Sequence, residues 1–202
     1  MLSLKLSFMH ITEKVSKANS ILGLIKRNFG FLSANVFLLF YKSLVRSHLE
    51  YAVFVWMPYE KNKIESLEQI QKRATKLVKK CKHLSYEKRL RYLELPSLMY
   101  RRVRGDMIQV FKLLCMNEGM NEFIPVFHKP SCIYTRGHKY KLVKSPFKLI
   151  VRKFYFTNRV VDLWNELPEG VVMCKSVIVF EKCLDEYLCR VSWRYDYETF
   201  IY

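Results

Sequence analysis

From Ile11 to Phe29 the apolar residues Ile11, Val15, Ala18, Leu22 and Ile25 recur every three or four positions, the period of a helix with one buried face. Gly30 marks its end. Ser33 suits the cap of a second helix, in which Val36, Leu39, Phe40, Ser43, Leu44 and Leu49 keep a similar spacing and form the expected inner face. The segment His48 to Tyr59, HLEYAVFVWMPY, is dense in aromatic residues and closes at Pro58. A third helix is expected from Glu60 to Lys80, with Ile64, Leu67, Ile70, Ala74, Leu77 and Val78 inside and Lys72, Arg73, Lys76, Lys79 and Lys80 on the opposite face. Ser85 is placed to cap a short helix ending near Tyr92, and Pro96 fits the first position of the next one. That helix is expected to bury Leu98, Val103, Met107, Val110, Phe111 and Leu114.

Farther along, the helical period gives way to alternation in Lys139-Tyr140-Lys141-Leu142-Val143, broken at Ser145-Pro146, which predicts a small β-hairpin or an irregular basic arm. Two closing helices follow, Thr157 to Glu166 and Ser176 to Arg190, separated by Pro168 and Gly170. The expected fold is therefore mainly α: a helical bundle, a basic hairpin or arm, and two closing helices. Gly119, Pro125 and Pro130 mark a boundary between residues 1–116 and 117–202, although the same stretch also fits a loop within one domain.

Composition narrows the class. Half of the 202 residues are hydrophobic, 15% are aromatic, and Gly and Pro number six each, which excludes a low-complexity or disordered chain. Lys and Arg total 35 against 18 Asp and Glu, a net charge of +17. A field of that sign concentrates polyanions before specific contacts form, so nucleic acid is the expected partner. No stretch approaches the roughly 18–20 uncharged apolar residues of a spanning helix. Lys5 interrupts the only apolar run of the first nine residues, leaving too little for a secretory core. A nuclear or cytoplasmic chain is the expectation. Cys81, Cys115, Cys132, Cys174, Cys183 and Cys189 lack the paired spacing of a zinc site and are read as reduced thiols, mostly buried.

The chemistry-bearing residues point to binding and away from catalysis. Two-metal phosphoryl transfer needs closely spaced carboxylates, whereas the acidic residues here are scattered, the nearest pairs being Asp185-Glu186 and Asp196 with Glu198. His10, His48, His83, His128 and His138 stand apart from Cys and carboxylates at metal or triad spacing. No Gly-rich phosphate loop occurs. Basic residues, in contrast, cluster. Lys72, Lys76 and Lys79 would line about 11 Å of one helix side, with Arg73 and Lys80 beside them. Arg101, Arg102 and Arg104 form a basic turn that fits either a phosphate contact or a solvated face. Between Phe123 and Val161 there is no Asp or Glu, while Arg136, Lys139, Lys141, Arg152, Lys153 and Arg159 are among nine positive charges. Tyr51, Trp56 and Tyr59, or Trp164 with Phe154 and Phe156, have the chemistry to stack on bases. The helical spacing of Val160, Val161, Leu163, Trp164 and Leu167 favours burial of Trp164 instead.

Six ordered segments share a resemblance. KANSILGLIKRNF (Lys17 to Phe29), FLLFYKSLVRSHLEYAVFVWMPY (Phe37 to Tyr59), IESLEQIQKRATKLV (Ile64 to Val78) and YRRVRGDMIQVFKLL (Tyr100 to Leu114), with TRGHKYKL (Thr135 to Leu142) and RKFYFTNRVVDLWNELP (Arg152 to Pro168), resemble the C-terminal part of reverse transcriptases from jockey-like and CR1-like LINE retrotransposons. Ser47 stands where relatives often have proline. The resemblance implies a helical thumb that grips RNA template paired with nascent DNA, followed by a tail. It also implies that the palm, its paired aspartates and their Mg²⁺, and the endonuclease lie upstream of Met1, so the expected role is nucleic-acid binding for a missing palm, with no catalytic residue or cofactor of its own. The rival expectations are a genomic relic without selected function and a protein-interaction module reused by the host.

Overall fold

The computed structural model describes residues 2–30, 32–51, 56–115, 127–128, 137–190 and 193–198, with side chains from Ile11 onward and only the backbone of Cys115 and Arg190. Among these residues the chain is mainly helical, without a β-strand and with two isolated bridges, Leu32 to Val78 and His128 to Val143. It divides into two compact units. One comprises Met1–Arg102 with Ser192–Tyr202, the other Val103–Val191. The division thus falls inside a helix, Leu98–Cys115, whereas the chain pattern marked Asn117 to Pro130, most of which lies outside the described residues.

In the first unit, α1 (Leu2–Asn28) buries Ile11, Ala18, Leu22 and Ile25, as its period requires. Ser33 caps α2 (Ala34–Phe40) by accepting from the Val36 amide. The inner face of this helix differs from the expected one. Leu49 is buried as expected, but the rest of the buried stripe is Phe37, Tyr41 and Val45, while Leu39 is 65% exposed and Val36 and Leu44 are also exposed. The buried set repeats every four residues, and in a 3.6-residue turn such a stripe rotates off the core by about 40° per repeat. Over Tyr41–Arg46 the helix widens into a π turn before closing as α3 (Ser47–Glu50). The wider turn, with its i to i+5 bonding, rotates the stripe back and keeps both aromatic rings inside.

Helix α4 (Lys61–Thr75) packs Leu67, Ile70 and Ala74 into the same core as α1 and the Phe37–Leu49 stripe. It stops five residues before the expected end at Lys80. Thr75 Oγ1 donates back to the Lys72 carbonyl, and the Cys81 thiol donates to the carbonyls of Thr75 and Val78. Val78 meanwhile bridges Leu32. Burying Cys81 and Val78 in this way turns Lys76–Lys82 off the helix axis, so the basic residues no longer form one straight line.

The next elements are α5 (Tyr86–Tyr92) and α6 (Leu98–Cys115). Ser97, one residue after Pro96, caps α6 by accepting from the Tyr100 amide. A second acceptor comes from α4: the fully buried Glu68 carboxylate receives the Leu98 amide at 3.2 Å and the Tyr86 hydroxyl. A carboxylate at a helix N-terminus satisfies an orphan amide and opposes the positive dipole end. Beside it, the Tyr41 hydroxyl donates to Gln71, whose amide donates to the Pro96 carbonyl at 3.0 Å.

Burial raises the Glu68 pKa above its ordinary 4.5, outweighing the Tyr86 hydrogen bond and Arg102, which lower it. A carboxyl with a raised folded pKa contributes stability fully below its unfolded value and loses it as pH rises through the folded one. Glu68→Gln keeps an acceptor in place without the charge. Its stability relative to the unchanged protein is therefore expected to improve from pH 4 to pH 8 in urea unfolding. An identical difference at both pH values would show that the carboxyl is not perturbed.

The second unit centres on Trp164, fully buried, with Phe180 6.2 Å away and Phe180 stacked on Phe111 at 4.1 Å between centroids. These side chains come from α6, from α9 (Val161–Glu166), which follows α7 (Ile150–Lys153) and α8 (Phe156–Arg159), and from α11 (Val177–Arg190), which follows α10 (Glu169–Val172). The arm from Gly137 to Leu149 has no strand. Asparagine amides bond its backbone instead: Asn165 accepts from the Leu142 amide at 2.9 Å and donates to the Leu142 carbonyl at 2.8 Å, and Asn158 does the same for Ser145. With those groups satisfied, the alternating segment has an irregular course and buries only Leu142 from its Lys139–Val143 run. The Trp164 indole donates to the Tyr140 carbonyl, and buried His138 bonds the Trp164 carbonyl through Nε2. Burial lowers the pKa of that imidazole.

Candidate nucleic-acid interface

In the first unit the C-terminal turns of α1 meet the end of α4 and the loop after it. The Leu32 to Val78 bridge draws the Gly30 turn toward Lys79, and the buried thiol of Cys81 fixes the bend of the loop. Between them lies a groove of about 900 Å³, lined by Lys26, Arg73, Lys76, Lys79 and Lys82, with Asn19, Leu22, Gly23, Phe29, Gly30 and Leu77 between the charges. Among the described residues, five cations line it and no carboxylate does. All five are solvent-exposed. The position of Lys26 near the end of α1 is also electrostatically favoured, because helix C-termini carry partial negative charge. Arg73 reaches Asn19 at 3.5 Å, a long bond that leaves its guanidinium in the groove.

Of the basic positions singled out along the chain, Arg73, Lys76 and Lys79 are brought together here. Lys80 is exposed but does not line the groove. Lys72 is withdrawn: its ammonium donates to the Tyr197 hydroxyl at 2.8 Å and lies over the Tyr197 and Tyr86 rings at 4.5 and 5.3 Å. The arginines of α6 serve the fold. Arg101 forms a two-pronged pair with Glu50, and Arg102 is buried against Trp56 and the Leu49 carbonyl. Arg104 chelates Asp185 at 2.6 and 2.9 Å and reaches Glu181 at 3.1 Å. Arg159 and Asp106 make a paired contact at 2.8 and 2.9 Å, with side chains only 12% and 5% exposed.

In the arm, Lys141 is half-buried and donates to the Asn165 carbonyl. Lys139, Arg152 and Lys153 are exposed, each over an aromatic neighbour, Tyr140, Tyr155 and Phe154 respectively. Arg136 lies outside the described residues. Lys26 and Lys82 are groove cations that periodicity and charge clustering did not single out. The signal for Lys82 was present in the run Lys79-Lys80-Cys81-Lys82, but nothing along the chain linked it to Lys26 more than fifty residues earlier.

Trp56 is buried and its indole donates to the Tyr51 carbonyl, and Trp164 is core, so neither is offered to a base. Tyr51 is exposed, with Lys14 over its ring at 4.7 Å. Among the cysteines with described side chains, Cys81 is buried, Cys174 and Cys183 are half-buried and Cys189 is exposed; all four are free thiols. Among the described residues no three His, Cys, Asp or Glu side chains gather as metal ligands, and no helix is long and apolar enough to cross a membrane. No protein-family model, curated protein or solved structure matches the chain.

Proposed function

We propose that this chain is a thumb-and-tail part of a non-LTR retrotransposon RNA-directed DNA polymerase that grips RNA template paired with DNA primer, for a catalytic palm that other sequence would supply. The observation that carries the reading is the groove lined by Lys26, Arg73, Lys76, Lys79 and Lys82, with no carboxylate among its described lining residues. Phosphate contacts position a nucleic acid without reading its bases, and five exposed cations around one concavity are suited to that task. The chain's part is grip: its arginines in α6 hold the fold, while the groove cations are exposed where phosphates would be neutralised. A second reading, a protein-interaction module, has the exposed apolar row of Val36, Leu39 and Leu44 in its favour.

Titrating a labelled RNA–DNA hybrid at several salt concentrations tests the proposal. With about one unit per phosphate contact, log K against log salt is expected to fall with a slope of about −4 to −5, with little difference between hybrid sequences. A slope shallower than about −1 would remove the electrostatic grip and leave the interaction module as the better reading.

A further inference from the structure

The basic groove contains an aromatic ring that a backbone grip does not require. Phe29 follows the last turn of α1, with Lys26 on the turn before it and Lys79 and Lys82 among the other lining residues. Its ring leans on Phe40 at 4.9 Å between centroids, with 37° between the planes. The residue is nevertheless 44% exposed. Gly23 and Gly30 line the same groove, and a Cβ built on either meets nothing within 4 Å, so the groove is open beside both glycines. An exposed phenylalanine supported from behind by a second ring, and surrounded by lysines, combines the two elements of single-strand recognition: a stacking platform and a cationic track for the backbone.

We infer that the groove takes a single-stranded nucleic-acid segment, with one unpaired base stacked on Phe29 and the adjoining phosphates on Lys26, Lys79 and Lys82. This rests on the nucleic-acid reading of the groove and makes it more specific, because a base inside a duplex has no free face to offer the ring. An unpaired template segment next to a duplex would place phosphates and a free base at the site together. Stacking tolerates any base, so the site selects for an unpaired base without selecting its sequence. The Phe40 support also explains why the ring sits at the helix end: it is held by packing and needs no hydrogen bond to be displayed.

The test compares three probes against the full chain at fixed salt: a labelled 12-residue oligouridylate, an abasic oligomer of equal length and charge, and inorganic polyphosphate. Phe29→Leu keeps apolar contact with Phe40, and Phe29→Tyr keeps the ring. The unchanged protein is expected to bind oligouridylate roughly tenfold more tightly than the abasic oligomer. Phe29→Leu should erase that difference, Phe29→Tyr should preserve it, and polyphosphate binding should be equal in all three proteins. Equal affinity of the unchanged protein for the two oligomers, or a Phe29→Leu protein that still prefers oligouridylate, overturns the stacking site while leaving the charge reading intact. Salt-independent or absent binding of all three probes overturns the nucleic-acid reading as well. Circular dichroism of each variant verifies equal helicity.

Discussion

Replacing Lys26, Lys79 and Lys82 together by Gln is expected to flatten the salt dependence of RNA–DNA hybrid binding by about three units and to weaken binding by about 100-fold or more at 50 mM salt. Each lysine that neutralises a phosphate releases counterions, so the slope counts contacts at about one unit per residue. The three side chains are exposed and line the groove. Their loss should therefore leave the fold intact. Lys72→Gln is the internal comparison. Its ammonium is held between Tyr86 and Tyr197, so it is expected to leave the slope unchanged and to cost about 0.5–1 kcal/mol of stability through the lost cation–π contacts. An unchanged slope in the triple variant would move the contacts to Lys139 in the arm and to Arg152 and Lys153 in α7. A slope reduced by Lys72→Gln would show that this side chain leaves its aromatic seat when nucleic acid binds.

Asp106→Ala is expected to destabilise the second unit by about 3–5 kcal/mol, because it leaves the guanidinium of Arg159 in a nearly dry site without its carboxylate. The pair is made through two parallel bonds and is almost fully covered. In a chain of this length the loss amounts to a fall in Tm on the order of 10 °C. Urea unfolding followed by tryptophan fluorescence, to which Trp164 buried in the same unit contributes, provides the measurement. The double variant Asp106→Ala with Arg159→Met should recover much of the loss, since removing both charges relieves the desolvation that removing one exposes. A cost below about 1 kcal/mol for Asp106→Ala would mean that solvent reaches the guanidinium. The double variant also tests a functional point: with Arg159 occupied by Asp106, its removal is expected to leave the salt slope of binding where it was.

Local rules made much of the helical architecture legible. The three-to-four spacing of Ile11, Val15, Ala18, Leu22 and Ile25, the Ser33 cap and the stripe of Ile64, Leu67, Ile70 and Ala74 are all local features, and the structure contains each of them, with Val15 only partly buried. Helix periodicity and capping depend on residues within one or two turns of each other, so a chain displays them without its partners. The same locality explains the errors. The expected Val36, Leu39 and Leu44 and the buried Phe37, Tyr41 and Val45 each fit a helical spacing that runs on to Leu49. The choice between them depends on a π turn and on the rings that the rest of the core accommodates.

Charge shows the contrast most clearly. The sequence determined that the chain carries +17, and with it the attraction to polyanions, because net charge sums over residues regardless of their positions. It did not determine which cations line the groove. Arg101, Arg104 and Arg159 look like Lys79 along the chain, but their carboxylates, Glu50, Asp185 and Asp106, are more than fifty residues away in each case. Arg102 is buried against Trp56, and Lys72 is held by Tyr197, which is 125 residues away. Only the tertiary structure decided these pairings, and only it placed Lys26 and Phe29 opposite Lys79 and Lys82. Long-range contacts arise because burying the apolar faces of α1 and α4 brings distant segments together, and the burial of Val78 and Cys81 then bends the basic loop toward the end of α1. Hydrophobic packing, which acts without regard to charge, thus decides which lysines line the groove.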